Sequence, residues 1–121
     1  MPPTDLVYFR DEDGAVPLLD WLAEIDRDAR IKCIARLARL AALGYELRRP
    51  EADLLRDGIY ELRVGLRGTN YRMLYFFSGR NAVVVSHGLT KESRVPPAEI
   101  ERAIGRMRSY LADPAAHTHR E

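Results

Sequence analysis

Residues 58–91 read GIYELRVGLRGTNYRMLYFFSGRNAVVVSHGLTK, and the alternation within this stretch decides the fold. From Ile59 to Val64 it sends Tyr60, Leu62 and Val64 to one side of a strand and Ile59, Glu61 and Arg63 to the other. The pattern repeats from Thr69 or Asn70 to Phe77, with Tyr71, Met73, Tyr75 and Phe77 on one face and Arg72, Leu74 and Phe76 on the other. Gly65 and Gly68 make the connection a hairpin loop, so pairing of Arg63 with Arg72 would bring both guanidiniums out on one face. Gly79-Arg80-Asn81 marks a second hairpin, and Ala82 to Ser86 is apolar enough for a central strand. His87 to Arg94 is expected to leave the sheet as a loop.

Upstream, Leu6 to Arg10 is a short β-prone run, an edge or first strand, closed by Asp11-Glu12-Asp13-Gly14. Pro17 suits the first turn of a helix whose apolar stripe is Leu18, Leu19, Leu22 and Ile25, with Trp21 beside it. A second helix is expected from about Asp28 to Leu43, with a capping carboxylate from Asp26-Arg27-Asp28 and Gly44 as its stop. Ile34, Leu37, Ala38 and Ala41 predict its buried face. Lys32, Arg36 and Arg39 form a basic row on another face, suited to a phosphate backbone or an acidic partner and equally to plain solvation. Tyr45 to Asp57 reads as a connecting segment with an apolar latch at Leu54 and Leu55.

Downstream, Pro96 and Pro97 open a last helix with Ile100, Ala103, Ile104, Met107, Tyr110 and Leu111 as a long apolar stripe. Asp113-Pro114 closes it. This predicts a single domain over 1–112 and a polar, flexible tail over 113–121, in which His117 and His119 are solvated rather than metal ligands.

At 121 residues and 46% apolar composition the chain can bury one modest core. No apolar run is long enough to cross a bilayer and Met1 to Val7 has no signal-peptide character, so a soluble cytoplasmic protein is expected. The lone Cys33 lies within a helical pattern and reads as a buried structural thiol. Net charge is only +1, but residues 1–30 carry three basic residues against eight acids, and residues 31–75 nine against five. Of the 19 basic residues 17 are arginine, which fits two-pronged phosphate contacts and equally an arginine-rich genomic codon usage.

Four motifs in order are together more specific than any one of them: Gly58-Ile59-Tyr60-Glu61-Leu62-Arg63; Tyr71-Arg72-Met73-Leu74-Tyr75-Phe76; His87-Gly88-Leu89-Thr90-Lys91; and Pro96 followed by Glu99-Ile100 and Ala103. On these the chain resembles the RelE/HigB superfamily of toxins, in particular its phage-derived HigB-like branch, over roughly residues 6–112. The resemblance implies an α+β fold with a small, mainly antiparallel sheet flanked by two N-terminal helices and one C-terminal helix. It also implies the toxin of a type II toxin-antitoxin pair, an endoribonuclease (mRNA interferase) acting on messenger RNA at the ribosome or on free RNA and so inhibiting translation. The implied partner is an antitoxin with a helix-turn-helix domain, HigA-like, through which alone operator DNA is reached.

The chemistry is consistent with that expectation. Metal-independent RNA cleavage uses the ribose 2′-oxygen as nucleophile, so a site must move a proton and stabilise added phosphate charge. Arg63 and Arg72 are the candidates for phosphate stabilisation and His87 or Lys91 for proton transfer. Lys32, Arg36, Arg39 and Arg67 are candidates for RNA or ribosome docking, and neither a metal nor another cofactor is called for. Each has a bland counterpart: Arg63 paired with Glu61, Arg72 laid over the sheet, His87 bonded to backbone. Two positions depart from the branch's pattern, Glu92 where a second basic residue is common and Val95 where a Ser or Thr is. With the low net charge, Glu92 favours the alternative of a weak or inactive toxin-like module that binds an antitoxin and contributes to operator repression.

Overall fold

The computed structural model describes residues 4–90 and 93–121. Among these residues, three α-helices and six strands form an α+β fold. In chain order they are β1 (Asp5–Phe9), α1 (Pro17–Glu24), α2 (Arg27–Leu43), β2 (Ala52–Arg56), β3 (Ile59–Leu66), β4 (Thr69–Ser78), β5 (Ala82–Thr90), α3 (Pro97–Ala112) and β6 (Thr118–His119). The strands build one open sheet in the order β2-β3-β4-β5-β1-β6. It is antiparallel except where β1 runs parallel to β5.

The expected alternation sorts the two faces. Leu62, Val64, Met73, Tyr75, Val83 and Val85 pack under α1 and α2 against Leu18, Leu22, Cys33, Leu37 and Leu40. Val7, Phe9, Ile59, Leu74, Phe76 and Val84 face α3 and meet Ile100, Ala103, Ile104 and Tyr110. Strand β5 is apolar on both faces because helices cover both, as for any fully sandwiched strand. The β3–β4 turn is the two-residue pair Arg67-Gly68, both at positive φ, which matches the twist of the flanking strands.

Several expectations are corrected. Tyr45 to Asp57 is not only a connection, because it contains β2, joined to β3 through the Asp57-Gly58 turn. The buried face of α2 is Ala29, Cys33, Leu37 and Leu40, while Ile34 is 50% exposed and Ala38 is exposed. Both stripes fit helical spacing, so periodicity alone could not choose between them. The N-cap of α2 is Asp26 without a side-chain cap bond; Asp28 accepts instead from Arg67. β1 is the first strand in the chain but not an edge, because Thr118–His119 pairs on its outer side. That pairing draws part of the expected tail into the sheet. His117, expected solvated, is buried, stacks on Phe9 at 4.9 Å between ring centres and hydrogen bonds through Nδ1 to the Arg10 carbonyl. Leu111, expected in the apolar stripe of α3, is 54% exposed.

His87 does not begin a loop, since β5 continues to Thr90. The β4–β5 register runs Tyr75↔Val85 and then Leu74↔His87, which leaves Ser86 as a bulge. The extra residue reverses the alternation, so His87 turns towards α3 and Gly88 towards α1. A Cβ built on Gly88 would lie 2.1 Å from the Trp21 ring, so only glycine lets α1 seat on β5. Gly88→Ala should therefore lower the urea midpoint by an amount equivalent to about 1–3 kcal/mol, as overpacking does. Adding Trp21→Leu should recover part of the loss, which equilibrium unfolding of the single and double variants would measure.

Candidate functional site

The site begins with the β3–β4 register. Arg63 and Arg72 are direct cross-strand partners on the α3-facing side of the sheet. Two like charges in that arrangement repel. Glu61, two residues before Arg63 and on the same face, relieves the repulsion. Its carboxylate accepts from Arg63 Nε at 2.7 Å and from Arg72 Nη1 at 2.9 Å. The Glu61 side chain is 2% exposed, Arg72 13% and Arg63 39%, so the triad is graded from core to solvent. Asp53 of β2, paired with Glu61 across the sheet, accepts from Arg63 at 3.3 Å and meets Arg49 at 2.9 Å. The Arg49 guanidinium holds the Asp53 carboxyl below its ordinary range, and Arg63 adds to this. Arg72 Nε is buried with no hydrogen-bond partner among the described residues.

Sequence reasoning found the two arginines and their pairing. It treated Glu61 only as a bland partner and missed Asp53, Arg49 and Glu51. The available signal was the shared face of Glu61 and Arg63.

The basic row of α2 lies along the uncovered part of β3, beyond the end of β2. Arg67 Nη2 donates to Asp28 at 2.9 Å, Lys32 Nζ to the Gly65 carbonyl at 2.5 Å, Arg36 to the Arg63 carbonyl, and Arg39 to both Glu51 oxygens at 2.5 and 2.7 Å. Successive helical turns thus bond the strand edge and its flanking loop. Arg39 and its partner Arg36 also keep the Glu51 carboxyl below its usual range. Lys32, Arg36, Arg39 and Arg67 are therefore brought into one line, and they help hold helix to sheet. Between α2 and the sheet edge lies a cleft of about 360 Å³ whose wall includes Arg36, Glu51, Arg63, Tyr71 and Arg72.

His87 sits elsewhere on the α3 side. It is 6% exposed, with Nδ1 2.7 Å from Ser86 Oγ and Nε2 3.2 Å from Glu99 Oε1. Arg106 also reaches Ser86 Oγ at 3.4 Å. Burial above all, with the Arg106 guanidinium adding, pushes His87 down to about 4 against the pull of Glu99. A neutral ring donating from Nε2–H to Glu99 and accepting from Ser86 O–H at Nδ1 satisfies every contact. Lys91 lies outside the described residues, as does Glu92. Cys33 is fully buried, and burial pushes its thiol up to about 11, as a structural thiol requires. Among the described residues no cluster of three His, Cys, Asp or Glu is placed to hold a metal, and no helix is long and apolar enough to cross a membrane.

Two stability measurements follow from this geometry. Arg72→Ala removes the more buried of the two partners of Glu61 and should cost about 3–5 kcal/mol. Arg63→Ala, at the wetter end, should cost about 1 kcal/mol or less. Urea unfolding distinguishes the two. The unfolded chain protonates His87 near the ordinary 6.5, whereas the folded state resists until about 4. The stability that neutral His87 confers is thus complete above about 6.5 and falls as pH drops towards 4, by up to about 3 kcal/mol. His87→Gln should flatten that part of the profile, measured by unfolding at neutral pH and at about pH 5.

Comparison with known proteins bears on the whole of this region. The family model of phage-derived Gp49-like proteins matches residues 20–108, from within α1 to near the end of α3. The match takes in every residue of the cleft and of the His87 network. No curated protein matches the chain.

Proposed function

Because the chain belongs to the phage-derived Gp49-like family, we propose that it is the toxin of a type II toxin-antitoxin pair within the RelE/HigB superfamily, a metal-independent endoribonuclease acting on messenger RNA at the ribosome. The observation that carries this reading is the Arg63–Arg72 pair, held by one buried carboxylate at the wall of an open cleft. In-line attack of a ribose 2′-oxygen on the adjacent phosphorus adds negative charge to the non-bridging oxygens. Guanidiniums already fixed in direction stabilise that charge without reorganising during the step. Arg72 serves as the anchored prong and Arg63, reaching solvent, as the arm that meets the phosphate. Arg36, which also lines the cleft, supplies a third positive group.

A buried, neutral His87 bonded to Glu99 and Ser86 is poorly suited to exchange protons with substrate in the cleft. We therefore assign proton transfer to Lys91 in preference to His87. Lys91 follows Thr90, the register partner of the cleft residue Tyr71. The proposed inhibitor is a helix-turn-helix antitoxin that occludes this cleft.

The alternative of a weak or inactive module that binds antitoxin has its own support. Both arginines are already neutralised by Glu61 and Asp53, and Glu92 follows the candidate lysine. One experiment separates the readings. The wild type and an Arg63→Lys, Arg72→Lys variant, which keeps the charge on Glu61 but loses the planar fork, are induced in cells lacking the antitoxin while RNA 5′ ends and growth are followed. The enzyme reading expects growth arrest with new cleavage sites, and cleavage lowered on the order of 100-fold in the variant. Soluble wild type that neither cleaves nor arrests growth would leave the binding module.

A further inference from the structure

A second hollow, of about 520 Å³, lies beside the outermost strand β2 on the α2 side of the sheet. Its floor is aromatic. Tyr45, 55% exposed, stacks on Phe77 at 3.7 Å between ring centres and 20° between planes, and its hydroxyl donates to the Gly79 carbonyl. Tyr60 stacks on Tyr75 at 5.3 Å and 16°, and Leu54, 53% exposed, borders the same space. One face of Tyr45 is thus fixed by packing and hydrogen bonding while the ring remains open to solvent.

Cations surround the floor. Arg48 lines the hollow and is exposed, and its side chain has no ion pair or hydrogen bond among the described residues. Arg49 lines it as well, and exposed Arg80 follows the glycine that anchors Tyr45. The segment of residues 48–53 borders both the hollow and the arginine cleft. Arg48, Arg49 and Asp53 line one, and the intervening Pro50 and Glu51 line the other.

We propose that this hollow is a base-stacking subsite for single-stranded RNA, taking a nucleotide that flanks the one held at Arg63 and Arg72. The proposal rests on the ribonuclease reading above and names how that site extends. A pre-fixed aromatic face with the unpaired Arg48 guanidinium at its rim is what sequence-tolerant binding of a single strand requires, since every base has a stacking face and every linkage a phosphate. An added peptide strand suits the place less well. The β2 register breaks between Leu54 and Arg56, and Arg56 is tied to Asp57 and Glu101, both of which blunt the edge.

The test compares fluorescence anisotropy of a mixed-sequence RNA of roughly nine nucleotides with that of a trinucleotide, both carrying 2′-O-methyl riboses to prevent cleavage. Tyr45→Leu should weaken binding of the longer RNA about tenfold, the scale of one lost stacking contact, and leave the trinucleotide unchanged. Arg48→Ser, at an exposed position, should weaken the longer RNA as well and flatten its salt dependence, which guards against a folding effect of Tyr45→Leu. The Arg63→Lys, Arg72→Lys variant should weaken both RNAs. Loss of affinity confined to that variant would overturn the subsite while leaving the cleft reading intact. Wild type that binds neither RNA would overturn both. A dimer in sedimentation that Leu54→Glu splits would assign the hollow to a second copy of the chain and overturn the proposal.

Discussion

Glu61 is a carboxylate on the α3-facing side of the sheet, with almost no access to water. A charge in that position is tolerated only with partners in hydrogen-bonding reach, and Arg63 and Arg72 provide them. This requirement ties β3 to β4 in one register. A slip of one residue would turn Arg72 to the other face and leave Glu61 uncompensated. Asp53 extends the constraint to β2, because it faces Glu61 across the strands and Arg63 bridges the two carboxylates. Three strands are therefore aligned by one alternating chain of charges, and that chain emerges at the wall of the cleft.

The same economy governs α2. Free carbonyls of the incompletely covered strand beside α2 take donors from helix side chains, since a helix backbone has none to offer. Lys32 and Arg36 reach across to the Gly65 and Arg63 carbonyls, and Arg39 fastens Glu51 in the following loop. The basic row that reads as a docking surface in sequence thus has a structural use. It also sets up the cleft electrostatically, since Arg36 stays beside Arg63 and Arg72 after its own contacts are made.

At the far side of the sheet, a bulge decides the chemistry of a histidine. With regular pairing, His87 would point towards α1, where Trp21 now fills the space over Gly88. The unpaired Ser86 turns the ring beneath α3, onto Glu99, where burial keeps it neutral. Its contribution there is to the seat of α3, and the proposed chemistry of the cleft leans on the arginines.

Much of this was legible in the chain. Period-two alternation determined β3 and β4, placed Arg63 and Arg72 on one face, and suggested that they pair, while an unbroken apolar run marked the start of β5. Proline and glycine signals marked the starts of α1 and α3 and the stops of α2 and α3 closely. Asp57-Gly58 was a readable hairpin signal for β2 that the polar composition of its surroundings obscured. What tertiary structure decided was of another kind. Ile34 and Cys33 both fit amphipathic stripes, and only contact with the sheet buried Cys33. The bulge at Ser86 depends on strand pairing, and the burial of His117 depends on β1, more than a hundred residues away in the chain. Local sequence specifies which side chains can share a face, because backbone geometry sets that period. Which face is covered, and which charge must be answered there, depends on what the rest of the chain packs against it.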